Sequence, residues 1–493
     1  MKKRYPLPLI IKNSKYFGAL YKIVNALYVS DEDINLYRLH QDKNIFDENM
    51  HVKSDIRYPR LVGGIVRDML LDKLANDVDI CTVFHPDNII AKLQKINAHT
   101  IPTGISHGTI TAILENHQFE ITTLRIDDKC DGRHASVSFT NNFYIDAQRR
   151  DFTINAMSYC VVTENLYDYF DGTTHLKNKK VIFIGDNNKR IEEDALRILR
   201  FFRFSAYYAN QLDSKGYESA INNKSMILQL SKERIVSELN KIIISDKSIY
   251  ILDVMKPMFE ELKITEFNIE SLKGVLQINQ KRHSAESTPQ VMKDMKIIGL
   301  EARYALLFSN ANNEHVKKWC KMMTISKVMT KNILNIHNIV KIVHNLQNQN
   351  LEHRTQMNKI MLKHLILDDD IQFIQNIHQY SSAANIDNTR YCDISKNQVY
   401  FLIKYYLFKN IHDKHECTLQ VLHLLVLYDL IDTQDLIEIK ELLTQDNLFP
   451  ISSKSLMNRG FKGKALGDVI KRLYNLWIMS SFKLSQNELM SYL

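Results

Sequence analysis

The chain has 493 residues, 45% hydrophobic and 24% charged, with a formal net charge of +8. It is too long for one ordinary domain, and its composition is that of a globular protein. No apolar run approaches the roughly 18 residues of a membrane span, which argues against a membrane-crossing helix, while the positive charge permits a polyanionic partner. Cys81, Cys130, Cys160, Cys320, Cys392 and Cys417 are scattered without a C-x-x-C pair. They read as reduced cytosolic thiols with no disulfide partner and no zinc site.

Met1–Ser30 carries Lys2, Lys3, Arg4, Lys12, Lys15 and Lys22 but no acidic residue. Residues 1–50 read as a basic N-terminal extension without an assigned role. A cytoplasmic location is expected, with an organellar one as the alternative that an acid-free leader would imply.

Leu61–Thr82 is the first stretch with chemistry in it. It reads as a strand end, the turn Gly63-Gly64, a short amphipathic helix holding Arg67 and Asp68, and a strand carrying Asp77 and Asp79. Glycines let backbone N–H groups approach a phosphate because no Cβ intervenes. Side chains two apart on a strand share a face, so Asp77 and Asp79 can hold one divalent metal between them.

Asp87–Ile96 reads as a helix, Gly104–Gly108 as a turn, Thr109–Leu114 as a strand, and Glu115-Asn116 as a hairpin into Phe119–Leu124. Alternation puts Phe119 and Ile121 on one face and Glu120 and Thr122 on the other. Glu120 is a candidate third carboxylate if its strand lies beside Asp79; a solvated strand glutamate fits the spacing equally well. Asp127–Asn142 is polar, poorly periodic and reads as a mobile loop.

Gln148–Met157 follows, with adjacent Arg149 and Arg150 able to neutralise a triphosphate. Asp151 and Asn155 are placed either to bond a ribose or to fix the loop. In Gly185–Tyr208, Ile191, Ala195, Ile198, Leu199, Phe202 and Ala206 form an apolar stripe at helical spacing. Asp194, Arg197, Arg200 and Arg203 recur every third residue as a polar ridge beside it; a solvated face with Glu193 and Arg197 paired at i,i+4 is the other reading. From about residue 210 the chain turns helical, and residues 300–449 contain neither glycine nor proline. Ile333–Leu346 and Tyr400–Phe408 show the repeated apolar spacing. His412-Asp413 reads as part of a polar inter-helix loop, not a metal site.

Three ordered motifs, GGIVRD with DVD, RRDFTINAM, and EDALRILRFFRF, are those of a known family. Over Leu61 to about Tyr208 the sequence resembles the class II CCA-adding tRNA nucleotidyltransferases and their relatives, the bacterial poly(A) polymerases. The tail segment GKALGDVIKRLYNLW loosely resembles the family's C-terminal element.

The resemblance implies an α+β fold: a polymerase-β-like nucleotidyltransferase head of mixed sheet and helices, then an all-α neck, body and tail. The expected boundaries are 51–185 for the head, 186–255 for a neck that recognises the base, and 256–493 for a tRNA-binding body and tail. It implies catalytic Mg²⁺ held by Asp77 and Asp79, and phosphate contacts from Gly64 and Arg67. Arg150 is implied to bind the nucleotide, Asp151 to recognise the ribose, and Asp194, Arg197, Arg200 and Arg203 to bind the nucleotide.

The implied activity is addition of C, C and A to the tRNA 3′ end from CTP and ATP, with the tRNA acceptor arm as partner. Cytosine and adenine both present an exocyclic amino donor beside a ring-nitrogen acceptor, which a carboxylate and a guanidinium can read without a template. The alternatives are poly(A) addition to RNA and a non-catalytic RNA-binding relative. The length of Asp127–Asn142 and the DVD spelling favour CCA addition.

Overall fold

The computed structural model describes residues 2–33, 56–75, 77–127, 137–264, 266–284, 298–347, 424, 449–479 and 484–493. The chain divides into two compact units, Met1–Lys263 and Ile264–Leu493. Tyr400–Phe408, His412-Asp413, residues 128–136 of the expected loop, and Cys130, Cys392 and Cys417 lie outside the described residues. Among the described residues no helix is long and apolar enough to cross a membrane, and Cys81, Cys160 and Cys320 are free and buried.

The first unit is built on a mixed sheet of eight strands: β1 (Lys2–Arg4), β2 (Arg60–Val62), β3 (Asp79–Thr82), β4 (His99–Gly104), β5 (Thr109–Leu114), β6 (His117–Thr123), and, further on, β9 (Ser158–Cys160) and β10 (Asn165–Tyr167). Their spatial order is β1-β10-β9-β2-β3-β6-β5-β4. All neighbours are antiparallel except β3 and β6, which run parallel with Asp79 opposite Glu120. The helix Pro86–Gln94 lies in the connection between these two strands and buries Ile89 and Leu93. Alternation along β6 is as read from the sequence: Phe119 and Ile121 are fully buried and Glu120 is exposed.

The N-terminal arm is not an appendage. Lys2, Lys3 and Arg4 pair with Tyr167, Leu166 and Asn165 as the edge strand of the sheet. The helix Phe17–Ala26 buries Ala19, Leu20, Ile23 and Val24, a one-sided stripe. Its start places the Tyr16 ring edge-on to His117 at 6.3 Å, and Lys22 pairs with Glu115 in the β5–β6 turn. The expected 1–50 boundary is therefore corrected: residues 2–33 fold with the head. Basic composition hid this, because the lysines sit on the outer face while the buried apolar residues lie between them. Ile23→Ala should cost about 2–5 kcal/mol, the usual range for truncating a buried isoleucine. Urea unfolding of the full chain measures it, and a loss below about 1 kcal/mol would make the arm peripheral after all.

The expected loop also has ordered ends. β7 (Arg125–Asp127) pairs with β8 (Val137–Phe139) in a two-stranded ribbon, and Asn142 caps the helix Phe143–Gln148 by accepting the Tyr144 N–H at 2.9 Å. The mobile-loop reading of Asp127–Asn142 is thus corrected at both ends.

The polar ridge of the third motif does not lie on one helix. Asn187–Glu193 and Leu196–Tyr208 are separate helices, and Asp194 stands between them in extended conformation, φ −153°. Its carboxylate accepts the Leu196 N–H at 3.0 Å, the local competition with helix that makes aspartate a helix-end residue. The second helix is seated on the second motif by an aromatic cluster: Phe152–Phe183 centroids are 4.9 Å apart, Phe152–Phe204 5.3 Å and Phe183–Phe201 5.4 Å. Further helices, Ser214–Asn222, Lys232–Ile244, Ser248–Val254 and Lys256–Glu261, complete this unit. Head and expected neck thus share one compact body.

The second unit is helical where described. Leu300–Leu307, Asn313–Met322 and Lys327–Gln347 form beside a cluster of Tyr304, Phe308 and Trp319. Ser453–Met457, Gly463–Met479 and Gln486–Met490 pack around Leu456, Leu473, Trp477 and Leu489. The α+β class, with a mixed-sheet head followed by helices, is as the motifs implied.

Candidate active site

Gly63 is the pivot of the first motif. It leaves β2 with φ +70°, a conformation glycine adopts without strain, and precedes the helix Gly64–Met69. A Cβ there would lie 3.4 Å from Arg150 Nη1 and 3.7 Å from Asp79 Oδ2. The turn, the arginine of the second motif and the carboxylate of β3 therefore converge on one point. The family resemblance implies the phosphate contact at Gly64; Gly63 is the residue whose missing side chain lets the three approach.

β3 begins at Asp79, and Asp77 sits in the bend just before it. The ladder continues one residue back, with the Glu120 N–H bonded to the Val78 carbonyl at 3.0 Å. Asp79 is partly buried, Asp77 and Glu120 exposed. Burial, followed by the negative charges of Glu120 and Asp77, pushes the Asp79 carboxyl up to about 6 although Arg150 opposes this. The parallel pairing therefore brings Glu120 into the field of Asp79, as the third-carboxylate reading required. Among the described residues no group of three His, Cys, Asp or Glu is arranged to hold a metal ion. The donor set is a pair of carboxylates with a third close by. Hard oxygen donors and clustered negative charge fit Mg²⁺, which takes few protein ligands and completes its shell with water and phosphate.

Arg67 is 8% exposed. Its Nη1 donates to Asn155 Oδ1 at 2.7 Å, its Nε to Asp68 at 3.0 Å, and its guanidinium lies 4.2 Å from the Tyr208 ring centroid. Asn155 Nδ2 in turn donates to Asp151 Oδ1 at 2.9 Å. Arg200 closes the chain on Asp151 Oδ2, at 2.7 Å from Nε and 2.6 Å from Nη2. Burial alone would raise the Asp151 carboxyl, but the Arg200 charge and the bonds from Asn155, Arg200 and the Phe152 N–H hold it below its ordinary value. Of the two roles read from sequence, fixing the loop is the one these bonds describe.

Arg150 lies over Gly63 while its Nη2 and Nε donate to Asp146 at 3.0 and 3.3 Å. Asp146, 2% exposed, also accepts from Arg149 Nη2 and Nε, at 2.8 and 2.9 Å. Asp146 is not among the residues that the motifs mark; its spacing of three and four residues from the two arginines is the signal in the sequence.

The third motif grips the second. Arg190 Nη1 donates to the Gln148 carbonyl at 3.0 Å, and Arg197 Nη2 to the Arg149 carbonyl at 2.8 Å. Arg197 Nη1 bonds the Arg190 carbonyl at 2.9 Å and Glu193 Oε2 at 2.6 Å. Asp194 is not paired with Arg197. Arg234 Nη2 holds it, at 3.2 and 3.1 Å. Arg203 is spent on the buried Glu238, 2.6 Å away. The structure thus brings Asp79, Gly63, Gly64, Arg67, Arg150 and Asp151 together and ties Arg197 and Arg200 to them, while Arg203 faces another helix. Asp146 and Arg234 are the added residues, and nothing local marked Arg234.

Residues 59–182 match the family described as Poly A polymerase head domain. The "CCA tRNA nucleotidyltransferase 1, mitochondrial" of Danio rerio is 38% identical over 244 residues, 47% of this chain and 55% of that protein. The human protein of the same name is 43% identical over 208 residues, 40% of this chain and 47% of its own. These matches span about half the length of the vertebrate relatives. The CCA-adding enzyme of Staphylococcus epidermidis is 34% identical over 284 residues, 55% of this chain and 67% of that enzyme.

Among solved structures, the Thermotoga maritima CCA-adding enzyme complexed with tRNA superposes with a TM-score of 0.55 at 14% identity, covering 100% of this chain and 98% of its own. The Bacillus stearothermophilus enzyme in complex with CTP gives 0.52 at 17% identity, covering 88% and 92%. These two carry the fold. The staphylococcal match is longer than the head and covers two thirds of that enzyme, and by it the chain belongs to the family of the CCA-adding enzymes, the class II tRNA nucleotidyltransferases.

Proposed function

We propose that this chain adds C, C and A to the 3′ end of tRNA from CTP and ATP, without a nucleic-acid template and with release of pyrophosphate. The observation that carries the reading is the bond from Arg197 to the Arg149 carbonyl. It joins the residue implied to read the base to the strand–turn–arginine site implied to hold the triphosphate.

Asp77 and Asp79 are the residues that would hold Mg²⁺, which when bound neutralises triphosphate charge and lowers the pKa of the attacking 3′-hydroxyl. The protein's own part is positional. Gly63 and Gly64 open room for the phosphates; Arg67, fixed by Asn155 and Tyr208, and Arg150, fixed by Asp146, offer positive charge beside them.

Arg197 has three of its five N–H groups committed, to Arg190, Glu193 and Arg149. The other two are left for a base edge, with the Asp194 carboxylate to accept from an exocyclic amino group. Uracil and guanine present an oxygen and an N–H in the opposite order, so choosing them leaves the buried Arg197 guanidinium facing an N–H and the Asp194 carboxylate facing an oxygen. Poly(A) addition, the runner-up, uses the same head.

Purified protein given Mg²⁺, labelled CTP and ATP, and tRNA lacking its 3′ end should yield a product three nucleotides longer that ends in A. Long A tracts on any RNA would overturn the reading in favour of poly(A) addition.

A further inference from the structure

Asp146 is a buried carboxylate to which three separate parts of the head are tied. Its Oδ1 accepts from Arg149 Nε and Nη2 at 2.9 and 2.8 Å and from the backbone N–H of Arg125 at the base of the β7–β8 ribbon at 3.3 Å. Its Oδ2 accepts from Arg150 Nη2 and Nε at 3.0 and 3.3 Å, and the Cys81 thiol of β3 lies 4.0 Å away. A buried ion pair of this kind is a weak source of stability, since desolvation offsets much of the attraction. Its geometry points elsewhere. Arg150 Nη1 lies over Gly63, on the same spot as Asp79 Oδ2, and its charge acts on Asp79. Yet no hydrogen bond or ion pair joins the two among the described residues; the guanidinium is turned back onto Asp146.

We propose that Asp146 is a positioning residue: by holding the Arg150 guanidinium on the helix Phe143–Gln148 it keeps that cation off Asp79 and leaves the carboxylate open to a divalent metal ion. The inference rests on the metal role given to Asp79 above. Were Asp146 uncharged, the nearest anion to Arg150 would be Asp79, and the guanidinium would neutralise the group that must bind the metal. Burial disfavours a charged Asp146, but the charges of Arg150 and Arg149 outweigh it and hold the carboxyl below its ordinary value, so it remains a counter-ion throughout the neutral range.

The test is metal binding, read without tRNA or turnover: titration of the full chain with Mn²⁺, the free ion counted by its electron paramagnetic resonance signal. Asp146→Asn should weaken Mn²⁺ binding about 10-fold, and adding Arg150→Gln to it should return the affinity to within about 2-fold of wild type. An unchanged affinity in Asp146→Asn, or a double variant as weak as the single, overturns the proposal.

If Asp146→Asn fails to fold, Arg150→Gln alone decides. With Asp146 present it should leave Mn²⁺ affinity within about 2-fold of wild type. A 10-fold tightening would mean Arg150 already occupies Asp79 and Asp146 restrains nothing. Because the readout is metal alone, a failure of CCA addition leaves this result standing. If Asp79→Ala leaves Mn²⁺ affinity unchanged, the metal reading on which the proposal rests fails, and the proposal with it.

Discussion

Asp79→Asn should lower CMP and AMP incorporation by at least about 10³-fold, equivalent to about 4 kcal/mol of transition-state stabilisation, and at the same time raise the thermal stability of the metal-free protein. The first effect follows from loss of the β3 carboxylate proposed to hold the metal, which lies against Gly63. The second follows from the raised carboxyl, about 6 in the fold. A carboxyl whose folded pKa lies above its unfolded one binds its proton more tightly when folded. Its charged form therefore costs stability, increasingly as pH rises from about 4 to about 6 and fully at pH 7. Removing the charge should raise the melting temperature by a few degrees at pH 7.5 in chelator, with a smaller gain at pH 5. Activity within about tenfold of wild type would refute the metal role. A lower melting temperature at pH 7.5 would show that Asp79 is held by partners and not repelled by its neighbours.

The second large effect concerns Arg197 and Asp194. Asp194→Ala should reduce discrimination of CTP over UTP by roughly 10²-fold, the scale of one lost polar contact to a base edge, and leave metal binding intact. Its carboxylate is otherwise bonded to Arg234 and the Leu196 N–H, at the surface of the helical pair. Arg197→Ala should be worse in kind. It removes the part-buried bond to the Arg149 carbonyl, so kcat/KM for CTP should fall further and stability should fall by about 1–3 kcal/mol. Single-nucleotide incorporation with each triphosphate, beside a denaturant melt, separates the two. If Asp194→Ala left base choice unchanged, the reading of the base by a protein carboxylate would be wrong. If Arg197→Ala changed base choice alone, its grip on the second motif would carry no weight.

The two variants differ because of a fact invisible in the linear motif. Along EDALRILRFFRF the aspartate and arginines fall every third residue, and a single helix is the natural reading. The chain instead breaks at Asp194, whose side chain takes the next helix's N–H, so Asp194 and Arg197 acquire different partners. The spacing was legible; the break depended on an extended φ at one residue.

What the sequence by itself determined are the features that depend on neighbours within a few positions: the two-glycine turn, the carboxylate pair, the arginine doublet, the alternation that exposes Glu120, and the helical character of the second unit. What only the tertiary structure decided are the pairings between distant segments. The parallel register of Asp79 with Glu120 turned a surface glutamate into a neighbour of Asp79. The edge pairing of Lys2–Arg4 with Asn165–Tyr167 made a basic arm part of the head sheet. The carboxylate of Asp146 and the carbonyls of Gln148 and Arg149 became anchors for arginines up to 48 residues away. The physical reason is the same in each. A hydrogen-bonding group offers the same donors and acceptors wherever it lies, so its sequence neighbourhood records that it can bond, while its partner is chosen only when the sheet and helices close around it.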